Sequence, residues 1–482
     1  MLTPLTISKL RVFGGILTTA ALLFLMLFSL FADSPIPCTN GTICLTLSDL
    51  NAIVCDPGVQ WLVFLCLVAY VLSFLVIRCQ VERLPFWHAT NSSLWLIALL
   101  SVGTFAYGFD YSEAAQSTRA LMLLGGATLG VGATLKAIWR EQGARTASVD
   151  CLIIIVLAAA LVAASLWYPE WSPTFAFRGY ARWTGPWDNP NAYGLLMGVG
   201  VVLAVGCAVA NYEKVTADKS EIGSSKELGM RWKCVVAVLC LASVVVIGRG
   251  LVHSYSRGAW CGTIVGLSYL GTQRIRDHGS EFRRWIRVNV LSLAVTVASV
   301  LALISWHYRS TEWYPARRAF SVNSTVDSTW HDRVLSWDCA LQITAEHPFL
   351  GAGWNQPERF WEQYYFPTGI PVGAVIGLND YLLLGATLGI PALLCFAMYI
   401  WLCLRNAPQE LQVANCLPDP PLPILTSTVP TLEVLQAICR AGAIVLLVGF
   451  WFNGGLFRLP TAATFWILIE LGRRDLTVGN AK

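Results

Sequence analysis

Charge is scarce in this chain. Asp, Glu, Lys and Arg make up 13% of its 482 residues while apolar residues reach 55%, against about 25% and roughly 45–50% in ordinary soluble domains. That balance excludes a typical water-soluble enzyme. Basic residues exceed acidic ones by only 33 to 29 and are dispersed, which argues against a nucleic-acid binder. No Walker A phosphate loop, dinucleotide fingerprint or zinc-binding helix motif is present, and no internal repeat is evident. Nucleotide-driven pumping therefore has no visible basis. The 15 cysteines form no C-x-x-C pair. Many, including Cys207, Cys240, Cys261 and Cys395, lie in apolar runs as small packing residues. Cys38, Cys44 and Cys55 share one connection, where an oxidising compartment would permit one disulfide and leave an odd thiol.

What the chain does have is a series of long apolar runs. A hydrocarbon core about 30 Å thick needs about 20 apolar residues per helix. Runs near 12–32, 59–77, 93–107, 120–138, 151–168, 192–211, 234–248, 259–272, 288–306, 379–404, 437–453 and 459–472 predict about twelve spans. The fold expected is an all-α polytopic membrane protein, one integral membrane domain over residues 1–482. Lys9 and Arg11 are expected to hold an uncleaved first helix by its cytoplasmic end, and both termini are expected in the cytoplasm. Lys136, Arg140, Arg145, the runs 214–233 and 274–287, Arg473 and Arg474 then also fall inside. Every outward basic residue is an arginine, among them Arg178, Arg182, Arg249, Arg257, Arg317, Arg318 and Arg333. That pattern directs attention to outer phosphate sites.

About 72 residues separate the ninth and tenth runs, from His307 to Leu378, and a connection of that length usually carries function. Thr329 and Asp332 fit a capping box, and Val334, Trp337, Leu341 and Ala345 recur at helical spacing until Pro348. The segment 307–378 is expected to be a partly helical outer lid, with an amphipathic helix lying on the membrane domain. A second short helix is expected from Asn355 and Pro357 through Tyr365. The Pro-rich stretch 405–436 reads as a flexible cytoplasmic connector.

Four segments combine polar groups with this setting. They are RWTGPWDNPNAYG from Arg182 to Gly194, SYSRGAW from Ser254 to Trp260, HDRVLSWDCALQITAEHPFLGAGW from His331 to Trp354, and NDYLLLGATLGIPALL from Asn379 to Leu394. Their order and spacing around a large loop resemble the O-antigen ligase and polymerase superfamily of bacterial membrane glycosyltransferases, over roughly residues 180–395. The resemblance implies a bacterial inner-membrane enzyme that moves a glycan from a polyprenyl diphosphate to an acceptor hydroxyl, without nucleotide sugar, cofactor or metal. Its partners would be that lipid-linked donor and a lipid, saccharide or protein acceptor. It also implies that Arg182 and Arg257 hold the diphosphate, with Arg333 the next candidate. In the family a His precedes the Asn of the fourth segment; here Leu378 stands there.

Chemistry supports the arginines independently. A guanidinium stays ionised and offers paired donors to phosphate oxygens, and fixed cations stabilise the negative charge that grows on a departing diphosphate. The plainer reading of Arg257 is an interfacial anchor whose stem lies along apolar surface. Asp188-Asn189-Pro190-Asn191 reads as a turn in which Asn191 caps the sixth span. For the acceptor proton the candidates are Asp380, which could equally be a helix-initiating carboxylate, and His331, which could be a solvated lid residue. His253 and His347 are lesser candidates. The aromatics Trp183, Trp187, Trp313, Trp330, Trp354, Trp361, Tyr364 and Tyr365 suit an interfacial belt or sugar stacking. Competing functions are a transporter or flippase, and a degenerate member that binds lipid-linked glycan without transfer.

Overall fold

The computed structural model describes residues 143–167, 175–177, 180–187, 189–218, 226–277, 328–353, 364, 379–405, 432–452, 454–456 and 458–473, with scattered positions between 16 and 30. The apolar runs at 59–77, 93–107, 120–138 and 288–306, the cysteines of the first connection and Pro418 to Pro423 lie outside them. The described chain is almost wholly helical: α1 (Gly143–Ser165), α2 (Pro190–Asp218), α3 (Lys226–His253), α4 (Arg257–Asp277), α5 (Ser328–Glu346), α6 (Asp380–Leu404), α7 (Leu432–Phe452) and α8 (Leu459–Gly472). Six of the expected runs, 151–168, 192–211, 234–248, 259–272, 437–453 and 459–472, carry a helix, and a seventh, 379–404, is helical but broken. By length and composition Pro190–Ala210, Asp380–Leu404 and Leu432–Phe452 could each cross a membrane, and Val149–Ser165 and Val238–His253 are shorter apolar helices.

An all-α expectation misses one feature. Strands β1 (Phe175–Phe177) and β2 (Tyr180–Arg182) form an antiparallel ribbon in which Phe175 faces Arg182. It precedes α2 and places Arg182 at the bundle end.

Glycines set how closely the helices approach, as expected where apolar surface alone gives little preference between helix and lipid. Gly262 and Gly266, four residues apart on α4, lie against α7: a Cβ at Gly262 would stand 2.6 Å from the Val445 carbonyl oxygen, and one at Gly266 2.9 Å from that of Ala441. Gly198 of α2 meets Thr263 and Val445, Gly200 meets Ile247 of α3, and Gly206 meets Ile438. These pairs run in opposite senses along α2 and α7, along α2 and α3, and along α4 and α7. The starts of α2 and α4 and the ends of α3 and α7 therefore gather at one end of the bundle.

Helix α6 is not a straight rod. Gly389 has φ 83° and ψ 174°, and Pro391 follows it. Residues 381 and 396 would be about 22 Å apart along a continuous helix, yet the Tyr381 and Phe396 rings are 6.2 Å apart. Gly385 likewise lies beside Leu393. The chain forms a V, with a short arm 380–388 and a long arm 390–404, instead of the single span expected over 379–404. The long arm packs on α8 through Phe396, Tyr399, Phe465 and Trp466.

Gly262→Leu is expected to force α4 from the α7 backbone and to lower stability by about 1–3 kcal/mol, as overpacking does. Thermal unfolding in detergent checks this, and an unchanged midpoint would show that the close approach is not needed.

Candidate functional site

Arg182 ties the first two motifs together. Its Nε donates to the Ser254 carbonyl oxygen at 2.8 Å and its Nη2 donates to Asn191 Oδ1 at 2.9 Å. The residue is buried, although it ends a β-strand. Asn189, not Asn191, caps α2: its Oδ1 accepts from the backbone N–H groups of Asn191 at 2.8 Å and Ala192 at 3.3 Å. Pro190 then occupies the first helical turn, where a missing N–H costs nothing. The Asn-Pro-Asn turn thus divides its labour, the first Asn serving the helix and the second the arginine. That corrects the expected cap. Gly194 completes the junction, because a Cβ there would reach Ser254 Oγ and stand 3.0 Å from Ser256 Cβ.

The second motif is the α3–α4 turn. Ser254 Oγ donates to Leu251 O at 2.6 Å and accepts from Ser256 N at 3.2 Å, while Ser256 Oγ accepts from Ala259 N and caps α4. Tyr255 takes a φ of 50°, unusual for a side chain of its size. Arg257 is the first residue of α4, three positions after the carbonyl that Arg182 binds. It is half-buried. Beside this turn Trp183 stacks on His253 with centroids 4.5 Å apart, and the Arg249 guanidinium lies 5.1 Å over the Trp183 ring. His253 and Trp183 are therefore packed partners.

The third and fourth motifs join through backbone. At the α6 break the freed carbonyls of Ala386 and Thr387 accept from Ala352 N at 2.8 Å and Gly353 N at 3.3 Å, and Ile390 N donates to Pro348 O at 2.8 Å. Gly351, with φ 69°, lets this segment pass against Thr387. α5 begins at Ser328, one residue before the expected cap, and stops before Pro348. Its buried face, however, is Ser336, Cys339, Ala340 and Ile343; Val334, Leu341 and Ala345 are exposed. The reason is the partner surface: Gly385 and Ala386 of α6 are shallow and receive small side chains. Tyr364 packs there and donates to the Glu346 carboxylate, and burial, helped by that carboxylate, pushes its phenol up to about 12.

Asp380 opens the short arm of α6 and is 2% exposed. Its Oδ2 accepts from Gly455 N at 2.6 Å and Leu456 N at 2.7 Å, clamping the α7–α8 turn. Asn379 caps the same arm, with Oδ1 accepting from Tyr381 N at 3.1 Å and Leu382 N at 3.2 Å. Tyr381 donates to Leu447 O at 2.7 Å. The fourth motif is thereby fixed to α7, which itself packs against the starts of α2 and α4.

Arg333 is half-buried in the first turns of α5. His331 lies in the same turns; its side chain, together with Leu378, Arg178, Arg317, Arg318, Asp188, Trp313, Trp330, Trp354, Trp361 and Tyr365, lies outside what is described. Among the described residues no group of three or more His, Cys, Asp or Glu could hold a metal ion. The Gly455–Leu456 partners of Asp380 had no sequence signal, lying 75 and 76 residues away.

Asp380→Ala is expected to release both amides and lower stability by about 2–3 kcal/mol, whereas Asp380→Asn keeps an oxygen for them and unfolds near the wild-type midpoint. Thermal unfolding of the pair in detergent checks the clamp; equal midpoints for Ala and wild type would remove it.

None of the curated proteins matches this chain. Residues 242–397 match the family model described as O-antigen ligase, a stretch running from α3 to the long arm of α6 that takes in the second, third and fourth motifs. This match, with the Arg182 motif packed against its second motif, supports the O-antigen ligase and polymerase superfamily for this chain.

Proposed function

We propose that the protein is a membrane glycosyltransferase that takes a glycan from a polyprenyl diphosphate at the outer face of the bacterial inner membrane and attaches it to an acceptor hydroxyl. One observation carries this reading: Arg182 is hydrogen-bonded to the Ser254 carbonyl, so two motifs that are 72 residues apart at that bond meet where α4 begins with Arg257. Two guanidinium-bearing segments then share one junction at the bundle end. Arg257 is the residue we assign to the diphosphate, where a fixed cation stabilises the charge that develops as the anomeric carbon–oxygen bond breaks. Arg182 holds the turn beside it and supplies positive charge. Arg333, on the lid helix, is the third cation assigned to the donor.

Asp380 is the group we assign to the acceptor proton. The Gly455 and Leu456 amides both donate to Oδ2, which leaves Oδ1 for the proton that the attacking hydroxyl releases. His331 is the second candidate. In this chemistry the hydroxyl oxygen bonds the anomeric carbon, the bond to the diphosphate breaks, and the diphosphate leaves with the electron pair.

The break in α6 favours a second reading. Interrupted helices line substrate paths in transporters, and Gly389 interrupts this one. Reconstitution with labelled polyprenyl-diphosphate oligosaccharide separates the two: a new glycosidic bond supports transfer, and movement across the bilayer without one supports transport.

Arg257→Ala is expected to insert and fold normally while turnover falls about a hundredfold, equivalent to about 3 kcal/mol, by analogy with a lost oxyanion donor. The lipid-linked donor should accumulate in cells. Normal turnover in this variant would remove Arg257 from the site.

A further inference from the structure

Asn379 holds a polar group that its capping role does not use. The residue is 2% exposed. Its Oδ1 is committed to the start of the short α6 arm through Tyr381 N and Leu382 N. That fixes the orientation of the amide, so Nδ2, on the same carbon, is turned away from the helix start. Nδ2 is buried and has no hydrogen-bond partner among the described residues. A buried donor left unpaired is destabilising and rare in folded proteins. Ser or Asp would cap the arm as well without it. Capping therefore accounts for the oxygen of Asn379 but not for its nitrogen.

The setting identifies what the nitrogen meets. Asp380, the next residue, is held in place by Gly455 and Leu456, and Tyr381 is tied to Leu447 O. Asn379 thus sits on a rigid corner between α6, α7 and the α7–α8 turn, a suitable base for a recognition group. An amide N–H₂ is a donor only, so its complement is an oxygen lone pair.

We propose that Asn379 is a substrate-contacting residue whose Nδ2 donates a hydrogen bond to an oxygen of the bound glycan donor or of the acceptor hydroxyl. This deepens the transferase reading and rests on it. The two sources share one chemistry and separate by experiment.

The test uses the full-length protein in detergent. Asn379→Ser keeps a capping oxygen and removes the amide nitrogen; Asn379→Asp, an equally good cap, is the second variant should Ser not fold. Without substrate, the thermal midpoint of the cap-preserving variant is expected to equal or exceed that of wild type, because a buried unpaired donor has been removed. Transfer of labelled glycan from polyprenyl-diphosphate oligosaccharide is expected to fall about tenfold or more in kcat/KM, the loss of one hydrogen bond. Binding of that oligosaccharide alone, read as its stabilisation of the protein against unfolding, distinguishes the sources. Weakened binding assigns the oxygen to the glycan donor, and normal binding with a raised acceptor KM assigns it to the acceptor. Wild-type kinetics and binding in the variant would overturn the proposal, as would a lowered midpoint that accounts for the lost activity. If wild type itself transfers nothing, the transferase reading fails, and unchanged oligosaccharide binding in the variant then overturns this inference separately.

Discussion

Backbone that leaves the helix inside an apolar bundle must find its hydrogen-bond partners within the protein, because lipid offers none. At the end of the bundle where the motifs gather, the chain leaves the helix repeatedly, and in each place a particular group supplies what is missing. Arg182 answers the Ser254 carbonyl, Asp380 answers the amides of Gly455 and Leu456, and the segment 348–353 answers the carbonyls and amide freed at the α6 break. Asn189 does the same for the start of α2. These are the residues of the four motifs. Much of what makes the motifs distinctive is the satisfaction of irregular backbone.

The glycines work on the same problem from the other side. Gly194 and Gly198 of α2, and Gly262 and Gly266 of α4, remove side chains where those two helices meet each other and α7. Close backbone approach brings the starts of α2 and α4 and the end of α7 together, so that the Arg182–Ser254 junction and the turn held by Asp380 lie toward the same end of the bundle. The transferase reading draws on both features: cations delivered to one junction, and a carboxylate held on one oxygen with the other unspent. Asn379, next to that carboxylate, adds a buried donor that is unpaired among the described residues.

How much of this was legible depends on the range of the interaction. The helices at 151–168, 192–211, 234–248, 259–272, 437–453 and 459–472 were readable because an apolar run of that length has few alternatives. The carboxyl end of α5 was readable because Pro348 forbids continuation, whereas the helix begins at Ser328 and takes in the expected cap Thr329. Its buried face was not, because Val334 and Leu341 satisfy a helical period as well as Cys339 and Ile343 do. The choice fell to the shallow surface of Gly385 and Ala386. In the Asn-Pro-Asn turn the sequence pointed to Asn191 as the cap, whereas Asn189 caps α2 and Asn191 accepts from Arg182.

By itself the sequence determined a mostly helical membrane protein, the positions of the helices that are described, and the four polar segments in order, because hydrophobic length and local turn chemistry act within a few residues. Only the tertiary structure decided that α6 folds into a V at Gly389, that Arg182 reaches Ser254, and that Asp380 holds a turn 75 residues further on. Those outcomes depend on which unsatisfied backbone groups the packed helices bring within reach, and packing acts between residues whose separation along the chain carries no signal.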